Sequence, residues 1–150
     1  MKILSIMLNS LLLSSLIFSG GVFSDSGTTK YKESPLNSIY KLIENKEFDK
    51  AILELNQADQ DDADVINLLG YSNRKLKNYD AALKYYQQAL SINPKHKGAN
   101  EYLGELYLET GEIDKAKQQL AILDDVCFFS CSEFTTLKRS IKKYESSLAN

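Results

Sequence analysis

The sequence predicts an all-α fold, a right-handed superhelical stack of about three helix-turn-helix repeats closed by a C-terminal capping helix. The first observation behind this is a pattern of small and large residues, Leu69-Gly70, Ala82, Tyr86, Ala89 and Pro94. It returns in register 34 residues later as Leu103-Gly104, Ala116 and Leu120, with Tyr107 and Gly111 between. Such a period is one of helix-turn-helix units that bury a core only by stacking. The second is upstream, where Phe48 to Ala58 reads as the second helix of an earlier unit, Ala51 lying 31 residues before Ala82. The third is the final segment, in which Phe134, Leu137, Ile141, Tyr144 and Leu148 follow steps of three and four, one face of a helix.

Taken from the N-terminus, Lys2 precedes an uncharged stretch from Ile3 to Ser24 whose densest part is Leu11 to Phe18, followed by the small residues Gly20, Gly21 and Ser24. This is the plan of an export signal over residues 1–24, cut before Asp25. A stretch of about 20 apolar residues also spans a bilayer, so an uncleaved anchor is the competing reading. Asn9, the serines and the Gly20-Gly21 pair dilute it. Residues 25–33 have no apolar periodicity and read as a flexible lead-in.

The repeats are expected over 34–61, 63–96 and 97–130. Leu36 to Glu44 supplies the first helix of the first unit. In the middle unit, Gly70, Ala82 and Ala89 let two antiparallel helices approach closely, while Leu69 and Tyr86 fill the flanking space. Asn78 or Asp80 is placed to cap the second helix, and Pro94 ends it. In the third unit, Leu123 replaces a small residue and Phe128 a proline, so the pattern dissolves as it reaches Cys127 and Cys131. The capping helix, 132–148, has Ser132 as its expected N-cap. By continuation of the period it lies beside the helix Asn100 to Thr110.

The segment Ala63 to Pro94 resembles one tetratricopeptide repeat along its whole length, with Ile66 for the usual tryptophan and Asn73 for the usual tyrosine. From Pro94 onward, Cys127, Cys131, Glu133, Phe134, Leu137 and Lys138 resemble the tail of small exported bacterial proteins of that family. The resemblance implies a non-catalytic protein-protein interaction or scaffolding module of the bacterial cell envelope, whose partner is a protein or peptide. Its concave face would present Asn67, Tyr71, Arg74 and Lys75 from the middle repeat and Glu101, Glu105, Leu108 and Glu109 from the third. Tyr40, Tyr71 and Tyr102 would offer rings to that groove. Some members grip the C-terminal carboxylate of chaperones. The corresponding places here hold Leu36, Tyr40 and Gly98, which cannot donate the charged hydrogen bonds this needs.

The rest of the chemistry is read against that background. A formal net charge of -2 lacks the surplus of Lys and Arg with which a protein displaces counterions from phosphates, so nucleic acid is set aside as a partner. Membrane enters only if the N-terminal segment stays uncleaved. Given export, Cys127 and Cys131 are expected as a disulfide stapling the last repeat to the capping helix. A thiol-redox role is the alternative, although no basic neighbour lowers a thiol pKa. His96 reads as a solvated loop residue rather than a general base. Neither metal nor cofactor is expected, because zinc would need two further soft ligands. Glu101, Glu105 and Glu109 form one column on a helix face and repel unless a cation lies near. Arg139, Lys142 and Lys143 of the capping helix are the expected internal partners, with a basic ligand in the groove as the alternative.

Overall fold

The computed structural model describes residues 36–149; the expected signal segment and the lead-in, residues 1–24 and 25–33, lie outside them. The described residues form seven α-helices and no strand: α1 (Leu36–Glu44), α2 (Phe48–Leu55), α3 (Ala63–Lys75), α4 (Tyr79–Ile92), α5 (Lys97–Glu109), α6 (Ile113–Val126) and α7 (Ser132–Leu148). Consecutive helices pack in pairs, α1 on α2, α3 on α4 and α5 on α6. The pairs stack through α2 against α3 and α4 against α5, and α7 closes the stack against both α5 and α6.

Each pair turns by the same device. Lys46, Lys77 and Gly111 follow the first helix of their units with φ of 61°, 64° and 81°. Their N–H groups donate to Ile43, Arg74 and Leu108, and those of Glu47, Asn78 and Glu112 reach back to Leu42, Asn73 and Tyr107. This paired closure satisfies carbonyls that the helix end leaves free, and it requires a left-handed residue at one position. Glycine meets that requirement without strain only in the third unit.

The core follows the small-large alternation. Ala82, Ala89 and Leu69 are fully buried, as is Tyr86, whose ring lies on Gly70 so closely that a Cβ there would sit 2.6 Å from two ring carbons. In the third unit the counterpart of this contact comes from the cap: a Cβ on Gly104 would meet Leu137 of α7 at 2.5 Å. Leu123 is fully buried in the same cluster as Leu137, Ile141 and Cys127. Where the repeat pattern fails, the larger side chain fills space against the capping helix.

The helix starts hold three corrections. Cys131, not Ser132, is the N-cap of α7; its backbone is extended (φ -87°, ψ 167°), and Ser132 is already helical with its hydroxyl donating to Glu133. Asn78 occupies the N-cap position of α4 but its side chain makes no capping bond, while Asp80 stands in the first turn, where it favours the helix dipole. His96 is no solvated loop residue. It caps α5, Nδ1 accepting from the Ala99 N–H at 3.1 Å, while Nε2 lies 2.9 Å from Asp64 Oδ1 at the start of α3. With Nδ1 accepting, the proton sits on Nε2 and is donated to Asp64. One imidazole thus ties the N-termini of two stacked helices.

Candidate partner-binding groove

The first helices of the repeats, α1, α3 and α5, carry the residues that the sequence assigns to a concave face. Residues four apart share a helix face. Asn67, Tyr71 and Lys75 therefore run along α3, and Glu101, Glu105 and Glu109 along α5. Two hollows flank Lys75. One, of about 520 Å³, is lined by Ile43, Glu44, Lys46, Phe48, Tyr71 and Lys75. The other, of about 380 Å³, lies among Arg74, Lys75, Glu105, Leu108 and Glu109, with α7 contributing Lys143 and Tyr144 as its far wall.

Rings line the path between the helices. Tyr71 packs edge-on against Phe48, centroids 6.2 Å apart, and tilted by 48° against Tyr102 at 4.9 Å. Tyr40 stands apart from this row, 45% exposed and near the Asp62 and Asp64 carboxylates. Phe48 was not among the residues read from sequence as groove residues. It opens α2 and meets Tyr71 of the next first helix, a contact that the packed structure shows and the sequence does not announce.

The glutamate column finds its cation, from a different element than expected. Arg74 Nη2 donates to Glu105 at 2.7 Å and Nη1 to Glu109 at 2.6 Å. Its guanidinium also lies 5.7 Å and 5.6 Å from the centres of the Tyr71 and Tyr102 rings, close enough for cation–π attraction. Among the described residues, Arg139, Lys142 and Lys143 form no ion pair with the column, and the ion pair between α6 and α7 is Lys117–Glu145. The reason is reach: Arg74 extends across the seam between adjacent first helices, and its planar fork meets two carboxylates at once.

Arg74 is therefore not an open contact residue. Its side chain is 2% exposed. Burial opposes its charge, and the Tyr86 phenol with the Glu105 and Glu109 carboxylates outweighs this, so the guanidinium holds its proton above its ordinary range. Burial in turn pushes the Tyr86 phenol well up. Glu101 stands differently. It is 9% exposed, with no hydrogen bond or ion pair from its side chain to another described residue, and burial, Glu105 and Glu133 push its carboxyl up to about 7.

Cys127 and Cys131 are joined by a disulfide, their Cα atoms 5.5 Å apart, between the end of α6 and the start of α7. Cys127 is buried, while Phe128 and Phe129 on the closed loop are 90% and 87% exposed.

Residues 74–126 match the family model described as tetratricopeptide repeat. The fold is a tetratricopeptide-repeat solenoid. The "TPR repeat-containing protein" of Borreliella burgdorferi is 34% identical over 88 residues, which cover 59% of this chain and 35% of that protein. The chain thus spans about a third of the length of that curated tetratricopeptide relative. Among solved tetratricopeptide folds, the Yersinia enterocolitica type III secretion translocator chaperone SycD aligns with a TM-score of 0.67 at 14% identity, over 77% of this chain and 84% of that one. SycD in complex with a peptide of the translocator YopD gives 0.63 at 16%, over 77% and 89%. The first TPR of Spaghetti (RPAP3) bound to the HSP90 peptide SRMEEVD gives 0.65 at 16%, over 77% and 91%.

Proposed function

We propose that this chain is a non-catalytic module of the bacterial cell envelope that holds a partner protein or peptide in the concave groove formed by α1, α3, α5 and α7. The observation that carries the reading is the groove itself: two hollows joined at Lys75, edged by the Phe48–Tyr71–Tyr102 row of rings. Tyrosine and phenylalanine offer large contact area at small entropic cost, which suits them to interfaces. Arg74, held by two carboxylates, keeps the floor of the groove fixed before a partner arrives, and preorganisation of this kind favours affinity. Similar solenoids that hold peptides, SycD with a YopD peptide and the RPAP3 domain with SRMEEVD, support the class of partner. The acidic HSP90 peptide is not itself the expected ligand, since Leu36, Tyr40 and Gly98 offer no charged donors.

Export is part of the proposal and rests on the Lys2, Ile3 to Ser24 pattern. The Cys127–Cys131 disulfide supports it, because such bonds persist in oxidising compartments. With Cys127 buried, the pair serves as a staple between α6 and α7 rather than as an exchanging thiol couple.

The test is affinity capture of the full chain from its own envelope fraction beside a Tyr71→Ala/Lys75→Ala variant, read by mass spectrometry. Both side chains line the hollows without sitting in the deep core. A defined partner lost by the variant is the expected result. A partner set indifferent to it would move the binding surface elsewhere.

A further inference from the structure

The loop from Cys127 to Cys131 carries the most exposed large apolar side chains among the described residues. Phe128 and Phe129 stand almost wholly in water, and their rings meet edge to face with centroids 4.7 Å apart. The loop holds them outward: the Cys127–Cys131 disulfide closes it, the buried Cys127 roots it, and Ser130 turns it with a φ of 51°. Two rings kept in water forgo the stabilisation that burial of aromatic surface brings.

A second unfavourable feature adjoins the first. Asp124 and Asp125 stand exposed in the last turn of α6, where the helix dipole disfavours negative charge. Neither forms an ion pair among the described residues. Lys138, the cation nearest to the loop in sequence, lies over the Phe134 ring at 5.3 Å. An apolar pair and an acidic pair, both uncompensated, thus share the corner where α6 meets α7.

The chain also carries a hollow of complementary character. The space of about 520 Å³ has Ile43, Phe48 and Tyr71 as apolar walls and Lys46 and Lys75 as cations, with Glu44 as its one carboxylate. Neither lysine forms an ion pair among the described residues, and the Lys75 ammonium lies 5.1 Å from the centre of the Tyr71 ring. Charge separates this hollow from two others. The one beside Ile39, Leu53 and Ala58 has Glu54 as its only charged lining residue and would repel the aspartates. The one towards α7 is lined by Glu105 and Glu109 as well as by cations.

We infer that this hollow receives a second copy of the chain: Phe128 and Phe129 of one copy enter between Ile43, Phe48 and Tyr71 of another, and Asp124 and Asp125 face Lys46 and Lys75. The loop and the hollow lie at opposite ends of the stack, and a loop closed at its root has no length with which to cross it, so the contact joins two molecules. The two surfaces differ, so the contact is heterologous and either closes as a ring or repeats head to tail. A knob of two rings covers a small part of the about 800 Å² per partner of a standard interface, which places the association in the weak, concentration-dependent class. Because the inference rests on the hollow that the groove reading gives to a partner, self-association and partner capture compete for one surface.

The experiment is analytical ultracentrifugation of the full chain purified from its host, over a concentration series reaching the millimolar range. The variants are Phe128→Ser/Phe129→Ser, the loop swap Asp124→Lys/Asp125→Lys, the groove swap Lys46→Asp/Lys75→Glu, and both swaps in one chain. Circular dichroism verifies that each is folded. The expected result is reversible association of the wild type, weakened about tenfold or more by the serine variant and by either swap alone, and recovered when the swaps are combined. A wild type that stays monomeric, association that survives the serine variant, or combined swaps that recover nothing would each overturn the inference. Capture of a partner that depends on Tyr71 and Lys75 would still stand in any of these cases, so the two readings fail separately.

Discussion

Replacing Glu101 by glutamine keeps the shape of the side chain and removes a charge that has no ion pair among the described residues. In the unfolded chain this carboxyl ionises near its ordinary value of 4.5, and in the folded chain at about 7. Between those two values the unfolded state has already released its proton while the folded state keeps it, so stability falls as pH rises through the window. Above it the folded protein carries the full cost of an ionised, desolvated carboxylate, at most about 3 kcal/mol from the distance between the two values. Water at the open edge of the side chain reduces this to about 1–2 kcal/mol. Glutamine cannot ionise and escapes the cost. Thermal unfolding followed by circular dichroism at about pH 8 should therefore show Glu101→Gln more stable than the wild type, by about 3–8 °C for a domain of this size. Near about pH 4.5 the two should converge, because the wild-type carboxyl is then protonated in the fold. A glutamine variant no more stable at the higher pH, or a difference independent of pH, would refute the account of Glu101 as an unpaired buried acid.

Further outcomes follow from the same geometry. Arg74→Met removes the ion-pair partner of Glu105 and Glu109; since both are partly open to water, the loss should be about 2–3 kcal/mol in urea unfolding, below that of a fully buried pair. Lys77→Gly relieves a left-handed non-glycine residue and should stabilise by about 0.5–1 kcal/mol, whereas Gly111→Ala at the matching turn should cost about 1 kcal/mol; equal signs would contradict the shared turn geometry. Gly70→Ala drives a methyl into the face of the fixed Tyr86 ring and should cost about 2–3 kcal/mol. Gly104→Ala meets only the flexible end of Leu137 and should cost about half as much, so a reversed order in melting temperature would argue against these packings.

Much of the fold was legible because its cause is local and periodic. Gly70, Ala82, Ala89 and Tyr86 announce a close helix crossing by their sizes alone, and the alternation of Phe134, Leu137, Ile141 and Tyr144 announces the cap. The turns were half legible. Gly111 signals a left-handed residue, and the 34-residue period transfers that requirement to Lys77, a position where lysine by itself gives no sign of it. His96 was misread because a capping imidazole has no sequence signature beyond standing before a helix, and its bond to Asp64 spans 32 residues. Within the groove the glutamate column was visible as spacing, but its cation was not. The repeat period places Arg139, Lys142 and Lys143 one unit after the column and Arg74 one unit before it. Only the packed geometry decides that the fork of Arg74 reaches both Glu105 and Glu109. That choice leaves Glu101 unpaired, a property of the assembled surface rather than of any segment.

The most direct test of the central claim places a photo-crosslinking amino acid at Lys75, between the two hollows, and in a second strain at Lys84, exposed on α4 away from both, in the full chain expressed in its own host. A discrete crosslinked partner from Lys75 and none from Lys84 is the result this account predicts. Crosslinks from Lys84 with none from Lys75 would contradict a partner held in the concave groove.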